Sequence, residues 1–148
     1  VIVIGDGDEA SKVKGYADSL DLEVAFLPSM DKKDYMNIVS QCQVGLIVLN
    51  KKLEANNYPG KSFDYMYFSK PIFAYLNDNN EFGDLINKEN LGYYVCENKN
   101  NFEEALLSLI EDEDERKIKG MNARNSLDKY FSVSTATNKI VKSLGDAS

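Results

Sequence analysis

The sequence contains no histidine, only two cysteines and only three prolines in 148 residues. The missing histidine removes Ser-His-Asp triads and histidine-containing metal sites together. Cys42 and Cys96 are too few and too far apart for a thiolate metal cluster or a disulfide framework. Both lie in apolar stretches and read as reduced, buried thiols. No apolar run approaches the roughly 20 residues that cross a bilayer, and no signal peptide opens the chain. Positive charge is in deficit: 17 Lys and Arg stand against 24 Asp and Glu, a formal net charge of −7. Nucleic-acid-binding surfaces are normally basic, so nucleic acid is not an expected partner. An anionic small molecule stays open, because a few local donors can outweigh the global field.

What is there is ordinary for a globular protein, 43% hydrophobic and 28% charged. The length fits one domain and allows about two-thirds of the unfolded surface to be buried. The chain starts on Val1 inside an apolar run without an initiator methionine, so it is expected to be a piece of something longer. Val1–Ile4, Glu23–Leu27 and Val44–Leu49 read as strands apolar on both faces; the first, a continuous β-branched run, is expected to be buried on both. Ile72–Tyr75 and Leu91–Cys96 read as two more, with Pro71 tolerated at the start of the fourth. Helical faces lie between them: Ala10, Val13, Ala17 and Leu20; then Tyr35, Ile38, Val39 and Cys42 behind an Asp31 cap. A short helix covers Phe82–Ile86, and Phe102, Leu106, Leu109 and Ile110 mark the next face. Acidic Asp112–Glu115 favours the start of a helix carrying Ala123, Leu127, Tyr130 and Phe131, and Ser132 caps a last one. Alternating strands and helices predict an α/β fold, a Rossmann-like doubly wound parallel sheet. Ligands of such sheets bind beyond the carboxyl ends of the strands. The loops at that edge are Gly5–Glu9, Leu27–Asp31 and Asn50–Ser62.

Two stretches carry the chemistry. VIVIGDGDEA fits strand, G-x-G-x-x-A and helix, the dinucleotide fingerprint, with Asp31 near the place of the expected acidic residue. A tight βα turn explains the same residues. The second stretch is NNYPGKSFDYMYFSKP, from Asn56 to Pro71. Pro59-Gly60 punctuates a loop, Ser62 suits an N-cap or first-turn position, and Phe63, Met66 and Tyr67 share a helical face. Pro71 pushes Lys70 out of the helix. The product is a helix of about two turns with a Gly-Lys-Ser entrance, whose free N–H groups suit phosphates. A plain amphipathic helix leading into a strand explains the spacing equally well.

PGKSFDYMYFSKPI resembles the P-S-K-x-(F/Y)-(E/D)-Y-M-x-x-G-K-P-(I/V) signature of the donor-binding, C-terminal half of family-4-like glycosyltransferases (glycosyl transferases group 1). These are retaining enzymes with the two-domain GT-B fold. Pro59, Lys61, Phe63, Asp64, Tyr65, Met66, Lys70, Pro71 and Ile72 keep register; Gly60 replaces serine and Ser69 replaces glycine. NARNSLDKYFS, near the chain end, resembles the family's N-A-R…F-S/T, so the likeness covers nearly the whole chain.

The resemblance implies a donor-binding set. Gly5, Asp6 and Gly7 stand in the family's G-D-G-x-E turn, where the two glycines let the backbone approach the sugar-nucleotide. Leu27 and Pro28 stand in the loop whose backbone recognises the base, with Pro28 in place of glycine. Pro59, Gly60, Lys61, Ser62 and Phe63 form the phosphate entrance. Asp64 maps onto a family glutamate that accepts ribose hydroxyls. Asn56 maps onto a second glutamate, facing the donor sugar, and cannot carry its charge. No residue is assigned a catalytic step.

Taken together, the chain is expected to be the nucleotide-sugar-binding domain of a hexosyltransferase-type retaining glycosyltransferase, residues 1–148, truncated at its N-terminal edge. The acceptor-binding domain of the parent chain would be missing. The donor is a nucleotide diphosphate sugar, and neither a metal nor another cofactor is expected. The resemblance implies cell-surface polysaccharide or glycan synthesis in the cytoplasm, with peripheral membrane contact through the missing half. The alternatives are a non-catalytic nucleotide-binding or interaction module and an NAD-dependent oxidoreductase domain.

Overall fold

The structure, a computed structural model, describes residues 1–50, 58–96 and 101–145. Among them five strands alternate with helices, every strand pair parallel. The chain forms two compact units, Val1–Ile38 and Val39–Ser148.

The first unit holds β1 (Ile2–Ile4), α1 (Ala10–Ser19), β2 (Ala25–Leu27) and most of α2 (Lys32–Gln41). β1 and β2 pair with Ile2 opposite Ala25 and Ile4 opposite Leu27. Both strands are shorter than their apolar runs suggest, and Ile2 and Val3 remain exposed. The expectation of a strand buried on both faces is therefore corrected for β1. Two strands and two short helices supply too few layers to sandwich a sheet within this unit. In α1 only Ala17 is buried; Val13 is half-exposed, and Leu20 falls past the helix end as its C-cap. Asp31 caps α2 as expected, its Oδ1 accepting the Asp34 amide at 2.9 Å.

The second unit holds β3 (Gly45–Val48), α3 (Gly60–Tyr67), β4 (Ile72–Tyr75), α4 (Glu81–Glu89), β5 (Gly92–Val95), α5 (Phe102–Glu111), α6 (Glu113–Phe131) and α7 (Val133–Gly145). The sheet order is β3-β4-β5, with β4 central. Its side chains alternate between two separate clusters, as a period of two requires. Ile72 and Ala74 join Ile47, Met66, Phe82, Ile86, Leu91 and Ala123 under α3, α4 and α6. Phe73 joins Val95, Ala105 and Leu109 under α5. Helices thus cover both faces, and the α/β, Rossmann-like reading holds.

Several boundaries differ from the sequence expectation. Val48 of β3 is exposed, because α5 lies over β4 and β5 and leaves the end of this edge strand uncovered. α4 runs longer than Phe82–Ile86, since Asn80 caps it by accepting the Phe82 and Gly83 amides. Ile110 turns outward, because the buried face of α5 is the i, i+4 pair Ala105 and Leu109. Asp112 caps α6 through the Glu115 amide at 2.8 Å, and Ser132 caps α7 through the Thr135 amide at 3.2 Å. The apolar residues Val133, Ile140 and Leu144 of α7 are exposed.

Candidate functional site

The βα turns at the carboxyl ends of the strands are built differently in the two units. In the first, the Gly5-Asp6-Gly7 turn is stitched to the segment after β2. The Gly5 amide donates to the Leu27 carbonyl at 3.0 Å, and the Ser29 amide donates to Asp6 Oδ2 at 2.8 Å. Asp6 therefore has a structural partner: it fixes the Leu27–Ser29 segment relative to the glycine turn. Gly5 sits at φ +145°, a conformation other residues rarely adopt, and a Cβ on either Gly5 or Gly7 would meet no described atom within 4 Å. Leu27 is half-buried and Pro28 exposed. α1 begins without a capping side chain.

In the second unit the site is the entrance of α3. Parallel β3 and β4 flank this helix in sequence, so its N-terminus lies at the carboxyl edge of the sheet. Pro59 is the N-cap and makes no side-chain cap bond; no acidic residue occupies the first turn. Ser62 stands inside that turn, its amide donating to the Pro59 carbonyl at 2.9 Å. It is not the cap: its side chain is fully buried and its Oγ has no hydrogen-bond partner. Among the described residues no acceptor meets the Gly60 or Lys61 amide. Gly60 is open, with no described atom within 4 Å of an added Cβ. Lys61 extends into solvent, yet desolvation by its surroundings pulls its ammonium below the ordinary lysine pKa. Asp64, one turn in, is half-buried, and no donor among the described residues meets its carboxylate. Asn56 lies outside the described residues.

The rest of the Asn56–Pro71 stretch is framework. Tyr65 lies across Gly45, where a Cβ would come within 2.3 Å of its ring, and donates to the Leu46 carbonyl at 3.3 Å. Met66 is buried, whereas Tyr67 is exposed, correcting the expectation that it shares the inward face. The buried positions are Ser62 and Met66, at i and i+4. Arg124 holds the end of α3: its Nη1 donates to the Tyr67 carbonyl at 3.3 Å and its guanidinium lies 5.1 Å from the Tyr67 ring. Asn122 Nδ2 donates to the Asn90 carbonyl at 3.2 Å, so the Asn-Ala-Arg run of α6 clamps two turns. Ser69 adopts φ +54°, left-handed backbone that favours glycine. Its carbonyl would lie 2.1 Å from a Cβ on Gly120. Lys70 Nζ donates to the Ser40 carbonyl at 2.7 Å.

Sequence reasoning missed the aromatic surround of this entrance. Tyr58 meets the rings of Phe82 and Phe131 edge-on at 5.4 and 5.6 Å, and Phe63 meets Phe131 at 5.1 Å. Burial and the nearby carboxylates Glu81 and Asp84 raise the Tyr58 pKa, keeping the phenol neutral. Among the described residues no three carboxylate or thiol groups converge as a metal cluster requires. A shallow groove of about 380 Å³, lined by Gln41, Ser69, Lys70 and Arg116 among others, precedes β3 and β4 and lies at the opposite edge.

No family model and no curated protein matches the chain. Among solved structures it is similar to the crystal structure of Anabaena Alr3699/HepE in complex with UDP-glucose. The TM-score is 0.72 and the identity 20%, over 98% of this chain and 40% of that one. The likeness is one of fold, a Rossmann-like α/β architecture. This chain spans less than half the length of that neighbour.

Proposed function

We propose that the chain is the nucleotide-sugar-binding domain of a retaining glycosyltransferase, and that the acceptor is held by another part of a longer parent. One observation carries the reading. Among the described residues, the entrance of α3 presents two amides that meet no acceptor, an exposed lysine and, one turn further on, a half-buried carboxylate that meets no donor. A diphosphate fits the first group, because helix N-termini concentrate unpaired N–H donors and positive potential. A ribose fits the second, because its hydroxyls are donors that an ionised carboxylate accepts well. The fold likeness to a structure holding UDP-glucose supports the same ligand class.

In this reading the α3 amides and Lys61 stabilise the charge that develops on the departing diphosphate. No metal is assigned that task. Gly5, Asp6, Gly7, Leu27 and Pro28 enter as donor contacts through the resemblance, and Asp6 also holds its own turn. A role in cell-surface polysaccharide synthesis belongs to the proposal, as does a cytoplasmic location with peripheral membrane contact through the parent. Among the described residues no helix is long and apolar enough to cross a membrane.

Titration calorimetry with nucleosides and nucleoside diphosphates tests the assignment, with NADH as the competing ligand class. Charge-assisted hydrogen bonds contribute about 1.5–3 kcal/mol, so Asp64→Ala is expected to weaken both nucleoside and diphosphate by roughly tenfold to a hundredfold. Lys61→Ala leaves nucleoside binding unchanged and affects only the diphosphate. An Asp64→Ala chain with wild-type affinity refutes the site, and tight NADH binding favours the oxidoreductase alternative.

A further inference from the structure

The first turn of α3 is held by neither a capping side chain nor an acidic residue. Among the described residues, the direction of its amides must be set by another contact. The residue before the Pro59 cap is Tyr58, and the fourth residue of the helix is Phe63. Apolar side chains at these two positions commonly pack together and fix the angle at which a chain enters a helix. Here the two rings close on a third. Phe131, the last residue of α6, meets Tyr58 at 5.6 Å and Phe63 at 5.1 Å, edge-on in both cases. One ring therefore straddles the Pro59–Ser62 turn from both of its ends. Phe131 is itself anchored, because α6 buries Ser126 and Ala123 about one and two turns earlier and its Arg124 grips the far end of α3.

We propose that Phe131 is a positioning residue for the anion entrance: it bridges Tyr58 and Phe63, fixes the first turn of α3 and so aims the Gly60 and Lys61 amides. The ligand in this inference rests on the nucleotide-sugar reading; the fixing of the turn does not.

Two readouts separate the claims. The Ser62 amide, bonded to the Pro59 carbonyl, reports closure of the turn in the ligand-free chain by hydrogen exchange. In Phe131→Leu it is expected to exchange at least about tenfold faster, while the β4 amides keep wild-type protection. Phe131→Tyr retains the ring and restores wild-type exchange. UDP affinity should fall about tenfold in Phe131→Leu, uridine affinity should not, and Phe131→Tyr should restore UDP affinity. Unchanged Ser62 exchange in Phe131→Leu overturns the proposal, as does equal acceleration of Ser62 and β4, which marks a merely structural ring. If Phe131→Leu does not fold, Tyr58→Leu removes one of the two contacts and carries the same test. Wild-type chain that binds no UDP while Ser62 still accelerates refutes the donor reading and leaves Phe131 as the holder of the turn.

Discussion

At the scale of single residues, Gly60 separates folding from function most cleanly. It opens α3 with no described atom within 4 Å of where a Cβ would stand. Among the described residues alanine there has room, and it loses less backbone entropy on folding, a gain of several tenths of a kcal/mol. The same methyl group would occupy the space assigned to a phosphate. Gly60→Ala is therefore expected to melt at or slightly above the wild-type temperature while losing diphosphate affinity. Paired thermal melts and calorimetric titrations check this, and a stable Gly60→Ala that binds UDP normally moves the phosphate elsewhere. Ser69 teaches the opposite lesson. Its substitution for glycine looks conservative in the sequence, yet the backbone adopts the left-handed conformation that explains why glycine suits the place.

At the scale of elements, legibility followed the number of layers around each strand. β4 matched its expected bounds because Ile72, Phe73 and Ala74 are apolar on both faces and both faces are covered. β1 has the same pattern without the cover, and an apolar run cannot report how many helices its unit supplies. The start of α3 was readable from Pro59-Gly60 and its end from Lys70-Pro71, since proline and glycine act locally. The Asp6–Ser29 bond and the Phe131 bridge were not, because they join residues distant in the chain and leave no periodic trace. The same is true of the polar knot between β5, α5 and α6. There Lys119, only 5% exposed, donates to Asn90 Oδ1 at 2.6 Å and lies 3.5 Å from Glu115 and 4.4 Å from the Tyr93 ring. Glu115 also accepts from the Tyr93 hydroxyl at 2.7 Å and from Ser108.

Burial alone would raise the Glu115 carboxyl. The hydrogen bonds from Ser108 and Tyr93 and the charge of Lys119 outweigh it, and the net shift is downward from 4.5. A carboxyl whose folded pKa is depressed stabilises the protein above its unfolded value. That contribution disappears as pH falls through the lower folded value. Stability is thus expected to decline on acidification below pH 4.5, and Glu115→Gln should flatten that part of the profile. It should also lower stability at neutral pH by about 1–3 kcal/mol, since Lys119 loses a charged partner. Urea unfolding of both proteins across the acid range measures the difference, and parallel profiles would remove Glu115 from the account.

At the scale of the whole molecule, glycosyl transfer needs donor and acceptor held in reacting geometry. The neighbour of similar fold is more than twice as long. Under the proposed function this chain alone is expected to bind donor without transferring sugar. Incubation with nucleotide-sugars and lipid or glycan acceptors checks this, and robust turnover by the purified chain contradicts it.

The boundary between the two compact units falls inside α2, between Ile38 and Val39. Ala17 is the buried hydrophobic residue of the first unit, whereas nearly all of the buried core belongs to the second. The two units therefore hold very different shares of the cooperative free energy, and α2 is the splice through which they exchange it. Heat should loosen the first unit before the second, with unwinding of α2 halted near the buried Val39. A calorimetric trace of this chain would then show a broad, low-enthalpy shoulder ahead of its main transition. The Gly5–Gly7 turn would be lost in the shoulder while the α3 entrance persisted to the main peak.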